Sequence, residues 1–487
     1  MKKSLGVNAI LNIIKTTMGM LFPLITFPYI SRTLLVENVG KVNYAISIMT
    51  YFSLIAALGI HIYAVREGSR LRGNKEALNK FVSEVYSINV LTSLFAYGLL
   101  TVLILFTDIF DGYHKLLWVL SLAIPLSLIG ADWINSIFED YLYITIRTIA
   151  FQIIALLMIF ILVKDRNDYV LYSLCVVVSS AGAGVINYFY TKRYSSRVFI
   201  FNCNFKKHIV PILILFFTSV ASTLYSTADI TMLGVMINDY SVGIYSTASK
   251  IYTIFKQLLF AIVIVCLPRF SYMYMHETKE KYEKMTNDVY NIIIILAVPL
   301  MAGMFTLSTN IVNILAGPHY SDAILTLKIK CIAIFFAIIA YFFMQLVLLP
   351  ANKESLILKA TLLAASTNII ANFFFIPSLQ ENGAGITTVL SELMVCAIVV
   401  YYSRKIINIK NNYKSIWQTI VSTVFLILFL KILNYYIDSD VYVLIFSLLG
   451  GLIIYFISLL IFRNVYAIRC IQIIKYKFRS TTVIKKN

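Results

Sequence analysis

Apolar stretches long enough to cross a bilayer follow one another along almost the whole chain, separated by short polar breaks. A transmembrane helix needs about 20 mostly apolar residues, and about fourteen such runs can be marked here. They cover 8–30, 39–64, 82–106, 116–138, 141–163, 169–190 and 209–236. The series continues with 241–267, 289–316, 325–350, 355–376, 385–407, 416–437 and 441–462. The pair Glu139 and Asp140 is the weakest break between neighbouring spans. Connections this short leave no room for a large soluble domain. The pattern predicts an all-α polytopic membrane protein.

Composition agrees. Of 487 residues 60% are hydrophobic, and the mean hydropathy of +0.83 excludes a soluble globular chain. A net charge of +18 would suit a nucleic-acid binder, but the charge is laid out as membrane topology. Basic residues gather at Lys2 and Lys3, in 66–80, 192–207, 269–284 and 404–414, and in the tail 463–486. Roughly 29 of the 41 Lys and Arg fall on that side, which marks it as cytoplasmic. The opposite loops carry Asp108, Asp111, Asp239, Asp438 and Asp440. An even number of spans with both termini in the cytoplasm follows, and the basic loops suit anionic membrane lipids. The start of the chain reads as a retained first span: it is too long for a signal peptide, contains Pro23 and Pro28, and lacks an Ala-x-Ala cleavage pattern.

A repeat divides the chain. From Gly40 it reads GKVNYAISIMTYF and from Gly243 GIYSTASKIYTIF, and the same register sets Arg66 against Arg269. Span 2 thereby falls on span 8. An offset of six spans keeps both copies in one orientation, so their symmetry axis runs along the membrane normal. The expected organisation is a six-helix lobe over 1–191, a basic linker over 192–208, a second six-helix lobe over 209–410, and two appended spans with a basic tail over 411–487. Two such lobes enclosing a central cavity are the architecture of a transporter. A duplication retained only for packing is the alternative.

Polar residues at helical spacing mark candidate cavity walls. Span 1 carries Asn8, Asn12, Lys15 and Thr16, and span 2 carries Asn43, Ser47 and Thr50. Span 7 carries Ser222 and Asp229, and span 8 carries Ser246, Lys250, Thr253, Lys256 and Gln257. Interhelical hydrogen bonding is the ordinary account of the Ser, Thr and Asn side chains. Charges demand more, because one at mid-membrane costs about 2.5–3.5 kcal/mol on insertion scales. Lys15, Arg147, Lys250 and Lys256 are the candidate cationic lining, with a salt bridge to Asp229 as the alternative for Lys250. Asp132 and Glu392 are further buried candidates, whereas Lys328, Lys330 and Lys431 lie near span ends, where a long side chain can reach the surface. A cationic interior favours an anionic cargo such as a diphosphate.

Other chemistry is missing from the sequence. No GxxxxGK[ST] provides an ATPase, and no HExxH or His/Cys cluster holds a metal. The histidines are scattered, and His61 reads as a packed or interfacial residue. The six cysteines form no CxxC pair. No catalytic residues and no cofactor are expected, and the short external loops do not suit a polymerase.

Four segments give the chain a family resemblance: Pro28-Tyr-Ile-Ser-Arg-Thr-Leu through Glu37, Gly40 and Tyr44-Ala45; Gly59 with Tyr63-Ala64-Val65-Arg66-Glu67; Ala228-Asp229 with Leu233-Gly234, Val242-Gly243-Ile244-Tyr245 and Ala248-Ser249-Lys250; and Leu315-Ala316-Gly317, Tyr320, Gly383-Ala384-Gly385-Ile386 and Ser391-Glu392. Over roughly residues 5–410 the chain resembles the polysaccharide-repeat flippases of the multidrug/oligosaccharidyl-lipid/polysaccharide exporter superfamily. It departs from them at Leu35-Val36, where relatives tend to carry a Gly before the acidic residue. The resemblance implies transfer of undecaprenyl-diphosphate-linked oligosaccharide from the inner to the outer leaflet of a bacterial cytoplasmic membrane. It further implies alternating access driven by H+ or Na+, with Asp229 as the candidate coupling carboxylate and a structural salt bridge as the alternative, and work beside polymerase or other assembly proteins. A cation-coupled multidrug antiporter of the same superfamily is the alternative. It would carry acids in span 1, where this chain has Lys15.

Overall fold

A computed structural model describes residues 5–201, 205–469 and 472. Lys2, Lys3, Cys203, Cys470, most of the basic tail and the side chains of Asn8 and Asn12 lie outside the described residues. The helices are α1 (Leu5–Ala57), α2 (Ile60–Arg70), α3 (Lys75–Phe106), α4 (His114–Ser121), α5 (Ala123–Gly130) and α6 (Trp133–Ile137). Next come α7 (Tyr141–Leu162), α8 (Tyr169–Ala181), α9 (Gly184–Thr191), α10 (Phe205–Met236), α11 (Asp239–His276) and α12 (Lys279–Thr306). The last are α13 (Ser308–Leu315), α14 (Ala323–Phe343), α15 (Glu354–Ser403), α16 (Tyr413–Tyr436) and α17 (Asp440–Ile461). No strand occurs among the described residues.

Among the described residues eleven helices are long and apolar enough to cross a membrane, and His114–Gly130 is a shorter apolar segment. Helices and expected spans do not map one to one. α1 holds two spans joined at Leu35 (φ 61°, ψ 178°), and α15 holds two joined at Gln380 (φ 51°, ψ −129°). These are conformations that glycine adopts far more readily than a residue with a Cβ. Span 4 is broken into α4, α5 and α6, with Ala131 left-handed at φ 45° between the last two.

Packing divides the chain into two compact units, 1–246 and 247–487, with the boundary inside α11. In the first unit α10 and the opening turns of α11 pack with the second segment of α1. A Cβ on Gly40 would run into the Asp239 carbonyl oxygen, and one on Gly243 into that of Val36. The two glycines matched by the sequence repeat therefore lie at one close helix crossing. Three residues on, Asn43 Nδ2 donates to Ser246 Oγ at 2.9 Å, a pair 203 residues apart like Gly40 and Gly243. One apolar core of this unit joins α2, α3, α6 and α10 around Tyr63, Phe81, Trp133 and Ile212. Inside it the buried His208 ring bridges the Tyr63 hydroxyl (2.7 Å) and the Glu84 carboxylate (2.9 Å), so each polar group has a partner.

Each unit straps an extended segment along one of its helices. In the first, Asn79, Ser83 and Ser87 lie four residues apart on α3. They accept the backbone N–H groups of Ser196 (3.1 Å), Val198 (3.2 Å) and Ile200 (2.8 Å). In the second, Glu283, Asn287 and Asn291 lie four apart on α12 and accept those of Asn408 (3.0 Å), Lys410 (2.7 Å) and Asn412 (3.1 Å). A helix turns once in 3.6 residues and an extended chain repeats every two, so every fourth helix residue meets every second strand residue. The device follows the segment after span 6 in one unit and after span 12 in the other.

Candidate functional site

The first unit encloses a cavity of 400 Å³. Its polar wall includes Lys15 of α1, His61 of α2, Asn89 and Ser93 of α3, Asp132 and Arg147. The break in span 4 builds it. With Ala131 left-handed, Asp132 opens α6 and turns its carboxylate to α7 and α9. Small residues let these helices close up: a Cβ on Gly130 would lie 3.1 Å from the Gly184 Cα, and one on Gly184 would meet the Leu126 carbonyl. Asp132 Oδ2 then accepts from Arg147 Nη2 at 2.7 Å, and Oδ1 from Asn187 Nδ2 at 2.9 Å. The buried Asn187 is fixed by donating to the Gly130 carbonyl (2.6 Å) and accepting from Asn135 (2.7 Å).

Arg147 is 7% exposed. Among the described residues its Nε and Nη1 are buried without a hydrogen-bond partner, and its guanidinium carbon lies 5.4 Å from the Tyr143 ring centre. Asp132 holds the guanidinium through Nη2, one of three nitrogens that share five N–H donors. A buried donor left unpaired costs about 1–3 kcal/mol, more when charged. Held in place by Asp132, the guanidinium gives the cavity wall a fixed positive charge suited to an oxyanion. With Lys15 beside it, the cavity carries two cations against one carboxylate.

Lys15 and Arg147 are thus brought together, and they are joined by two residues the sequence ranked low. Asp132 is the anchor of the cavity. His61, expected to be packed or interfacial, is exposed at the cavity wall.

Of the remaining stripe residues, Asn43, Ser47, Thr50 and Ser246 are hydrogen-bonded to side chains or to backbone. Besides the Asn43–Ser246 pair, Ser47 Oγ donates to the Tyr44 carbonyl at 2.7 Å and accepts from Thr231 at 3.1 Å. Thr50 donates to the Ile46 carbonyl at 2.8 Å. Asp229 is buried and accepts the Tyr245 hydroxyl, while Ser222 is exposed on α10.

In the second unit Lys256 Nζ pairs with Glu392 Oε1 at 2.5 Å, and the Tyr252 hydroxyl donates to the same oxygen at 3.1 Å. Lys250 and Gln257 are half-buried and Thr253 is exposed. Lys330, assigned from sequence to a snorkelling role, is only 3% exposed. Its Nζ donates to Ser249 Oγ at 3.0 Å and lies 5.1 Å from the Tyr252 ring centre, near the Lys256–Glu392 pair. A signal was present: Lys328 and Lys330 are two residues apart, about 200° around a helix, so both cannot face outward. No group of three His, Cys, Asp or Glu side chains able to hold a metal occurs among the described residues.

The putative O-antigen transporter of Escherichia coli (strain K12) is 23% identical over 83% of this chain and 97% of its own. The capsular polysaccharide biosynthesis protein CapF of Staphylococcus aureus is 22% identical over 76% of this chain and 92% of its own. Among solved structures, the lipid II flippase MurJ in an inward closed conformation superposes with a TM-score of 0.75. It is 15% identical, and the match covers 94% of this chain and 99% of that one. The structural likeness establishes the fold, a polytopic bundle of membrane helices. A family model described as polysaccharide biosynthesis protein matches residues 5–274, more than half of the sequence, and the chain belongs to that family.

Proposed function

We propose that this protein flips a lipid-linked oligosaccharide across a bacterial cytoplasmic membrane, as a transporter rather than an enzyme. The cavity takes the diphosphate that joins lipid to sugar. One observation carries the reading: the Arg147 guanidinium, pinned by Asp132, and Lys15 line the same cavity. Names of the relatives, an O-antigen transporter and a capsular polysaccharide protein, fit such a cargo. The basic loops assign both termini to the cytoplasm, which sets the Asp132 end of the cavity toward the leaflet where the cargo is made. Two six-helix lobes related by the repeat, with their matching straps, would move against each other to change access. Asp229, buried against Tyr245, is the candidate for coupling to an H+ or Na+ gradient.

Reconstituted proteoliposomes loaded with the lipid-linked oligosaccharide provide the test. Arg147→Ala should slow transfer by roughly ten- to a hundredfold, the worth of a charge-assisted hydrogen bond or two. Arg147→Lys should recover part of the rate by supplying a point charge without the fork. Unchanged transfer in a correctly inserted Arg147→Ala protein would remove the diphosphate from this cavity.

A further inference from the structure

A second depression, in the unit 247–487, belongs to none of the groups described above. It measures 820 Å³ and lies among α12, α13, α14 and α16. Met301, Ile332 and Ile427 form apolar walls, while Lys328, Lys431 and Asn434 supply polar groups. Lys328 stands in the second turn of α14, and Lys431 and Asn434 in the last two turns of α16. Helix ends therefore meet here, at the end of the unit remote from the basic segments 269–284 and 404–414. Tyr435 beside them is 82% exposed, as befits an aromatic residue at the membrane–water boundary.

Two lysines from different helices converge on one groove, and its lining contains no carboxylate. The nearby Asp440 is engaged, accepting from Asn310 (2.7 Å) and Asn313 (3.0 Å). Snorkelling explains why a single lysine survives near a span end; it does not explain two that share an apolar trough. The charge sits at headgroup depth and the apolar walls run deeper, the same order of polarity as along a phospholipid.

We propose that this groove binds an anionic glycerophospholipid of the phosphatidylglycerol class, with the phosphate between Lys328 and Lys431 and an acyl chain against Met301, Ile332 and Ile427. A zwitterionic phosphatidylcholine is disfavoured because its choline cation would approach the same ammonium groups. The site is independent of the Arg147 cavity.

Native mass spectrometry of the full-length protein in detergent tests this with dioleoylphosphatidylglycerol and dioleoylphosphatidylcholine as probes. The wild type should retain the glycerol lipid in preference to the choline lipid. Lys328→Gln with Lys431→Gln should weaken it by roughly thirtyfold, from the usual contribution of a lysine near a lipid phosphate. Binding of the choline lipid should be unchanged. Lys431→Gln alone, at an exposed position, provides a variant expected to fold and to show an intermediate loss. Equal retention of both lipids, or retention of the glycerol lipid unaffected by the variants, would overturn the proposal. Displacement by inorganic phosphate would make this a simple anion site, and displacement by undecaprenyl phosphate at lower concentration would give the groove to the cargo carrier. Either of those outcomes also overturns it.

Discussion

Arg147 gives one nitrogen to Asp132 and, among the described residues, keeps two without partners, which separates it from the many charges matched in ordinary ion pairs. A charge inside an apolar run is visible in sequence, and Lys15, Arg147 and Lys256 could be singled out on that ground. Their partners were harder to read. Asp132 lies in a span that looks like one continuous apolar helix, and the break that aims it depends on Ala131, a residue with no left-handed preference. Lys330 lies near a span end, where a lysine can reach the surface, but its direction around the helix turns it inward to Ser249. Backbone strain is also a residue-scale matter. Gln380 is exposed and holds φ 51°, ψ −129°, the geometry of the first central residue of a type II′ turn, where glycine is favoured. Gln380→Gly should stabilise the protein by about 1 kcal/mol, read as a higher midpoint of thermal unfolding in detergent. Leu35→Gly should act in the same direction, restoring the residue type expected at that turn from the family resemblance. A lowered midpoint for both would show that the turns are not strained.

Among elements, the straps escaped the sequence reading entirely. Asn79, Ser83 and Ser87 are unremarkable polar residues at the start of a membrane helix, and the segments they hold have no periodicity of their own. Structure turns them into a repeated device. The α3 positions 79, 83 and 87 correspond to the α12 positions 283, 287 and 291, each 204 residues on. That is one residue from the offset between Gly40 and Gly243, so the sequence repeat extends beyond the short window in which identities survive. Asn287 is held to the strap twice, donating to the Asn408 carbonyl at 2.9 Å while accepting from Lys410 N–H at 2.7 Å. Asn287→Ala should speed hydrogen exchange at the Lys410 amide by about tenfold, the equivalent of roughly 1.4 kcal/mol lost from local opening. Ser87→Ala should do the same at Ile200. Exchange that is fast in the wild type, or unaltered in the variants, would mean that the straps are not held in solution.

For the whole molecule, the fold class was legible because span length and hydropathy are dictated by the bilayer itself. Eleven long apolar helices carry that pattern among the described residues, two of them bent into paired segments at Leu35 and Gln380. The family membership rests on residues 5–274. Which polar residues form a site was only partly legible, since stripes of Ser, Thr and Asn serve interhelical bonding and cavity lining alike. Asn43, Ser47, Thr50 and Ser246 have hydrogen-bond partners on neighbouring helices or their own backbone, and the cavity lies instead around Arg147. The central claim concerns a direction of transfer, and sidedness tests it most directly. Inverted and right-side-out vesicles from cells lacking the protein would be treated with an impermeant glycan-cleaving enzyme. The account predicts that lipid-linked oligosaccharide accumulates on the cytoplasmic leaflet and that restoring the wild-type chain, but not Arg147→Ala, returns it to the outer one. Lipid-linked oligosaccharide reaching the outer leaflet equally well without the protein would contradict it.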